Sequence, residues 1–278
     1  MSVVLFTILV FLGSLSAGVI GALTGLGGGV MLVPMLVLLF HVDLRYAVGA
    51  SLISVIATSS GAASAYLTEG YTNLRIGMFL QVAATAGAIL GAIVSAHLHA
   101  ATIAIIFGAV LIYSGYLSLR RQEESERERP SDRLALRLGL EGSYPVVGGW
   151  KPYRVYNVLG GWALMLVAGT LSGLLGIGSG AVKVLAMDQL MRLPYKVSTT
   201  TSNFMIGITA AGSAGIYLLR GFIDPGLTMP VMIGVLVGAF TGARLLMVVS
   251  TKPLRLFFSV VIFLMAIEMI YSGMTGRL

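Results

Sequence analysis

The sequence predicts an all-α polytopic membrane protein, built as two inverted-topology repeats of about five hydrophobic segments each, with short broken or re-entrant helices at glycine-rich motifs. Composition is the first ground. With 57% hydrophobic and 10% charged residues in 278, and a mean hydropathy of +0.94, a soluble domain of this size is excluded. The second is self-similarity. A shift of 151 residues places Gly18 on Gly169, Gly25 on Gly176, Gly27 on Gly178, Gly29 on Gly180, Gly61 on Gly212, Gly70 on Gly221, Gly87 on Gly238 and Gly91 on Gly242. These are 8 of the 13 glycines between Gly18 and Gly108, where chance gives about two, and the other five meet Ser or Thr, so a structural unit has been duplicated. The third is a one-sided distribution of Lys and Arg among the loops.

Apolar runs between turn and charge clusters mark the segments. In the first half they cover about 2–24, 28–40, 46–67, 75–97 and 101–119, and in the second about 157–175, 180–191, 197–219, 226–249 and 254–274. The chain thereby divides into a first transmembrane repeat (1–119), a linker (120–156) and a second repeat (157–278). An odd number of segments per copy sends the second copy through the membrane upside down, as in many secondary transporters. Thirteen Lys and Arg fall on the linker side, against Arg45, Arg220 and Arg277 on the other; without the linker, five against three remains. The positive-inside rule then makes the linker cytoplasmic, in the cytoplasmic (inner) membrane, and puts both termini outside. The same sidedness follows whether all ten segments span or the first two of each half form a re-entrant hairpin.

The first run lacks a basic n-region, and Ala17 and Gly18 match Ala168 and Gly169 inside the second copy, so it reads as a retained helix rather than a signal peptide. The linker opens on RRQEESERERPSDR, a solvated stretch of mixed sign. Leu134, Leu136, Leu138 and Leu140 then alternate with other residues, which predicts a short strand paired with the Tyr153–Tyr156 region in a small hairpin. Zero cysteines exclude disulfides, thiolate metal sites and cysteine nucleophiles.

The strongest constellation is LTGLGGGVMLVP at Leu23–Pro34, matched by LLGIGSGAVKVL at Leu174–Leu185. Glycines at this density break one helix and permit backbone that a side chain forbids. The next helix, starting near Val30 and near Ala181, has roughly 11 to 13 residues at about 1.5 Å each, too short for a hydrocarbon core of about 30 Å. Its buried N-terminal end, with free N–H groups and the positive end of the dipole, favours an anion. Gly27, Gly28 and Gly29, with Gly178, Ser179 and Gly180, are therefore candidate substrate-binding residues, whereas Gly87, Gly91, Gly238 and Gly242 fit close helix packing. Lys183, one turn after Gly180, adds a cation at membrane depth, where a charge is costly and points to function; snorkelling is the other account. Ser51, Ser202 and Asn203 lead a cluster of hydroxyls and amides that can coordinate an oxyanion or bond helix backbones.

Three further intramembrane charges stand in the sequence. Arg244 can reach substrate or snorkel to the interface. Glu268 can carry a proton, or be structural. Asp188 pairs at i,i+4 with Arg192. His41, His97 and His99 fall at segment ends, as interface residues rather than metal ligands. No catalytic constellation, metal or cofactor is expected. The expected partners are a small anion and the lipid bilayer, with no nucleic acid; oligomeric state is open.

The stretches GVIGALTGLGGGVMLVP (Gly18–Pro34), AVGASL (Ala47–Leu52), GTLSGLLGIGSGAVKV (Gly169–Val184), TTTSNF (Thr199–Phe204) and GARLL (Gly242–Leu246) resemble the TauE/SafE family of membrane permeases, over nearly the whole chain outside the linker. The sequence departs at Ser179 and Leu185, where the family usually has Gly and Pro, and carries Lys183 between them. The resemblance implies transport of a small sulfur-containing anion (sulfite, thiosulfate or an organosulfonate). Alternating access around a midplane site would be the mechanism; an anion channel, or a permease for an unrelated small anion, would use the same helix ends.

Overall fold

In this computed structural model, the protein is described over residues 3–24, 28–68, 70–119, 132–146, 149–246 and 251–276. The first half holds α1 (Val3–Thr24), α2 (Gly29–Leu38), α3 (Leu44–Thr68), α4 (Leu74–Ser95) and α5 (Ala100–Leu119). A short helix α6 (Arg133–Arg137) and a hairpin of β1 (Gly142–Val146) and β2 (Gly149–Tyr153) follow. The second half holds α7 (Val158–Leu175), α8 (Gly180–Leu185) running on as a π-helical turn (Ala186–Leu190), α9 (Tyr195–Leu219), α10 (Pro225–Leu246) and α11 (Thr251–Thr275). Five described stretches are long and apolar enough to cross a membrane: Val3–Ile20, Leu74–Ser95, Val158–Leu175, Tyr195–Leu219 and Pro225–Gly242. The ten predicted hydrophobic segments thus all appear as helices, and the second of each half is a short one.

Helix partners exchange under the 151-residue shift. α1 packs on α10 and α7 on α4, α3 packs on α9, α5 on α11, α2 on α3 and α8 on α9. The glycines make these contacts possible. A Cβ on Gly87 would run into the carbonyl of Leu166, and one on Gly238 into the carbonyl of Leu15, again 151 positions apart. Gly18 lies against the backbone of Val235 as Gly169 lies against that of Ala84. In lipid, where helices gain nothing by hiding apolar surface from each other, such backbone approach is a main source of cohesion.

Residues Leu134–Leu140 do not form the expected strand. Arg133–Arg137 is helical, because the Asp132 carboxylate caps it, accepting from the N–H of Leu134 at 3.2 Å and from Val158 at 3.1 Å. A local cap outweighs the two-residue alternation of leucines. The hairpin lies further on, with Gly142 opposite Tyr153 and Val146 opposite Gly149. This piece is docked on the helices rather than merely strung between them. Ala135, Leu140, Val155 and Val158 share one buried cluster with Ile76, Leu80, Met187, Met191, Leu193 and Met205. Asn73, between α3 and α4, donates to the Leu140 carbonyl (3.1 Å) and to the Tyr153 hydroxyl (2.6 Å), while its backbone N–H donates to Thr201 Oγ1 on α9 (3.1 Å).

Candidate functional site

Helix α7 ends at Gly176 (φ +71°), and Gly178 (φ +70°) and Ser179 (φ +49°) follow in the same left-handed region before α8 begins. That backbone is easy for glycine and strained for serine, which explains glycine at 176 and 178. In the first half, Gly28 takes an ordinary helical conformation (φ −63°) and Gly29 opens α2; Gly27 lies outside the described residues. The two motifs meet. A Cβ on Gly29 would sit 2.8 Å from Val55, 3.0 Å from Ser51 Oγ and 3.3 Å from the Gly176 carbonyl. Ser51 Oγ donates to Gly176 O at 2.8 Å, and Ser202 Oγ to Gly180 O at 3.3 Å. The serines that match under the shift therefore both hold the glycine junction.

Lys183 is fully buried, which removes snorkelling. Its ammonium donates to Thr209 Oγ1 at 2.6 Å, and among the described residues no carboxylate pairs with it. Ser179, the residue before α8 and four before Lys183, is 3% exposed and its hydroxyl has no partner. A buried cation and a buried unsatisfied hydroxyl thus stand four residues apart in the chain. Thr209 is tied in turn to Gln81 of α4, whose side-chain amide lies 3.0 Å from Thr209 Oγ1.

The other candidates lie apart from this group. Asn203 is half-buried; its carbonyl accepts from Ser59 Oγ at 2.6 Å, and its amide joins no hydrogen bond among the described residues. Ser54, Thr58, Ser60, Thr199 and Thr200 bond carbonyls of their own helices. Arg244 belongs to α10, but its side chain lies outside the described residues. Glu268 is exposed on α11. Asp188 does not pair with Arg192: the Ala186–Leu190 turn is π-helical, which shifts the i,i+4 register, and Arg192 leaves the helix with φ +56° to lie over the Tyr156 ring at 5.8 Å. A cavity of about 330 Å³ lined by Tyr156, Asn157, Gln189, Leu190 and Arg192 opens at that end of the short helix.

Gln81 escaped the sequence reading. Its signal was an amide inside an apolar segment, weaker than a charge and without a polar counterpart, since the shift places it on Met232.

Among the described residues, ten hydrophobic helices, two of them short and each flanking a glycine motif, define an all-α polytopic membrane protein. Residues 10–269 match the family described as Sulfite exporter TauE/SafE, and the chain belongs to that family. It is similar to the probable membrane transporter protein YunE of Bacillus subtilis, at 30% identity over 96% of this chain and 98% of the relative. It is also similar to the probable membrane transporter protein YdhB of the same organism, at 27% identity over 82% and 85%, and to a probable membrane transporter protein of Xylella fastidiosa, at 23% over 83% and 82%. No solved structure gives a significant match.

Proposed function

We propose that the protein is a secondary transporter carrying a small sulfur-containing anion, such as sulfite, thiosulfate or an organosulfonate, across the cytoplasmic membrane by alternating access. One observation carries the anion: the ammonium of Lys183 is buried with no carboxylate partner among the described residues, and the Ser179 hydroxyl at the start of the same short helix is buried with no partner. An uncompensated cation with an unsatisfied hydroxyl at the start of its helix is complementary to an oxyanion. The sulfur chemistry is supported by the family's description. Gly27–Gly29, Gly178–Gly180, Ser51 and Ser202 frame the site in this reading.

Alternating access is supported by the exchange of helix partners under the 151-residue shift, which suits two inverted repeats moving about a common centre. The burial of Ser51, Thr209, Ser202 and Lys183 favours a carrier over an open channel. The test is reconstitution in liposomes. Saturable uptake of labelled thiosulfate, sulfite or taurine, with counterflow, is expected; ohmic currents without counterflow, or flux of none of the three, would overturn the reading.

A further inference from the structure

We propose that Gln81 is the residue that positions Lys183 for its anion and keeps the lysine's charge uncancelled, acting through Thr209. The inference rests on the anion-carrier reading and deepens it.

The ammonium of Lys183 needs an acceptor, and Thr209 Oγ1 supplies it at 2.6 Å. A hydroxyl has one proton to give, and its direction decides which way the lone pairs face. The Gln81 amide and the Met205 carbonyl decide it together. With its oxygen towards Thr209 Oγ1 (3.0 Å) and Thr85 Oγ1 (2.7 Å), and its nitrogen donating to the Met205 carbonyl (3.2 Å), every polar atom of the amide is matched. The Thr209 proton has two acceptors on that side, the Met205 carbonyl at 2.8 Å and the Gln81 oxygen, and the Gln81 amide engages both Thr209 and that carbonyl, which leaves a Thr209 lone pair for the ammonium. Gln81 is 6% exposed and Thr209 fully buried, so no water substitutes for either. A glutamate of the same shape would accept the hydroxyl protons but lose the donor to the Met205 carbonyl, and would neutralise the lysine. The amide keeps the donor and carries no charge. Under the 151-residue shift Gln81 meets Met232 and Lys183 meets Leu32, so both polar partners occur in one orientation only. The bridge runs from α4 in the first half to α8 and α9 in the second.

The test uses full-length wild type, Gln81→Glu and Gln81→Met, with thiosulfate as the probe in transport and in thermal unfolding. Gln81→Glu is expected to unfold near the wild-type temperature, because the buried counter-ion it gives Lys183 offsets the lost donor to the Met205 carbonyl. Its KM for thiosulfate should rise about tenfold or more, and thiosulfate should no longer raise its unfolding temperature. Gln81→Met should lower the unfolding temperature and raise KM less. If Gln81→Glu responds to thiosulfate as wild type does, or loses stability and transport together as Gln81→Met does, Gln81 is only structural and the proposal falls. Should Gln81→Glu not fold, Thr209→Val cuts the same link from the other side, and an unchanged KM there overturns the proposal. A wild type that answers to none of thiosulfate, sulfite or taurine removes the carrier reading, and this proposal with it; a wild type that answers leaves the variants to judge Gln81 alone.

Discussion

His41 and Arg192, 151 positions apart, close the two short helices in the same way. Both are non-glycine residues in the left-handed region, at φ 51° and 56°. The next N–H in each case bonds back six residues, from Val42 to Leu36 at 3.0 Å and from Leu193 to Met187 at 2.9 Å. This is a Schellman closure, ordinarily completed by glycine. The repetition of so specific a cap, on two non-glycine residues 151 positions apart, shows that the likeness of the two halves reaches the backbone.

The topology expected from the Lys and Arg distribution makes a prediction about sidedness. Ser143 is exposed on β1, and the chain has no cysteine. Ser143→Cys should therefore resist a membrane-impermeant maleimide in intact cells and react once the cytoplasmic membrane is opened. Labelling in intact cells would place the linker outside and reverse the topology.

Close packing makes a prediction about glycines. Gly87→Ala and Gly238→Ala each force a methyl into a neighbouring helix carbonyl, an overpacking worth about 1–3 kcal/mol. Gly215→Ala, with nothing within 4 Å of the added carbon, should be neutral or slightly stabilising because alanine is the better helix former. Thermal unfolding in detergent separates the two groups, and equal midpoints would show that the backbone approach adds nothing.

Charge at the site makes a third. Lys183→Met keeps the length of the side chain and removes its charge. At an effective dielectric of about 20, two charges about 4 Å apart interact by roughly 4 kcal/mol, and losing a third of that weakens binding about tenfold. Lys183→Arg should also bind less well than wild type, since the broader guanidinium does not fit the ammonium's place on Thr209. A Lys183→Met protein that binds thiosulfate as tightly as wild type would leave recognition to the helix ends alone.

Docking of the linker makes a fourth. Asn73→Ala strands the Tyr153 hydroxyl and the Leu140 carbonyl and removes a helix cap for Ile76, which together should cost about 1–3 kcal/mol. Burial raises the Tyr153 phenol above its ordinary 10.0, and the Asn73 hydrogen bond partly opposes the rise. A raised phenol adds stability that is complete below pH 10.0 and is lost as pH climbs through the folded-state value. Tyr153→Phe should flatten the pH dependence of unfolding above that point. A slope that survives the substitution would belong to another group.

The ten segments, the break at the second glycine motif and the isolation of Lys183 were legible because each rests on a local property. Apolar length, glycine density and an isolated charge are visible along the chain, and duplication doubles every signal. The expected strand at Leu134–Leu140 failed because alternation is a weak cue beside the cap from Asp132. The expected Asp188–Arg192 pair failed because one π-helical turn shifts the helical register, and nothing in the residues themselves announces such a turn.

By itself, the sequence determined a membrane protein made of one unit used twice, with an isolated cation beside a glycine-rich break. Only the tertiary structure decided which helices cross between the halves, that Ser51 and Ser202 hold the junction, and that Lys183 rests on Thr209 under Gln81 rather than on an acid. The reason is physical. Hydrophobic length and helix breaking act between neighbours in the chain, whereas a hydrogen bond between residues 128 positions apart, such as Gln81 to Thr209, exists only once backbones have packed closely enough, at glycines, to bring the two helices together.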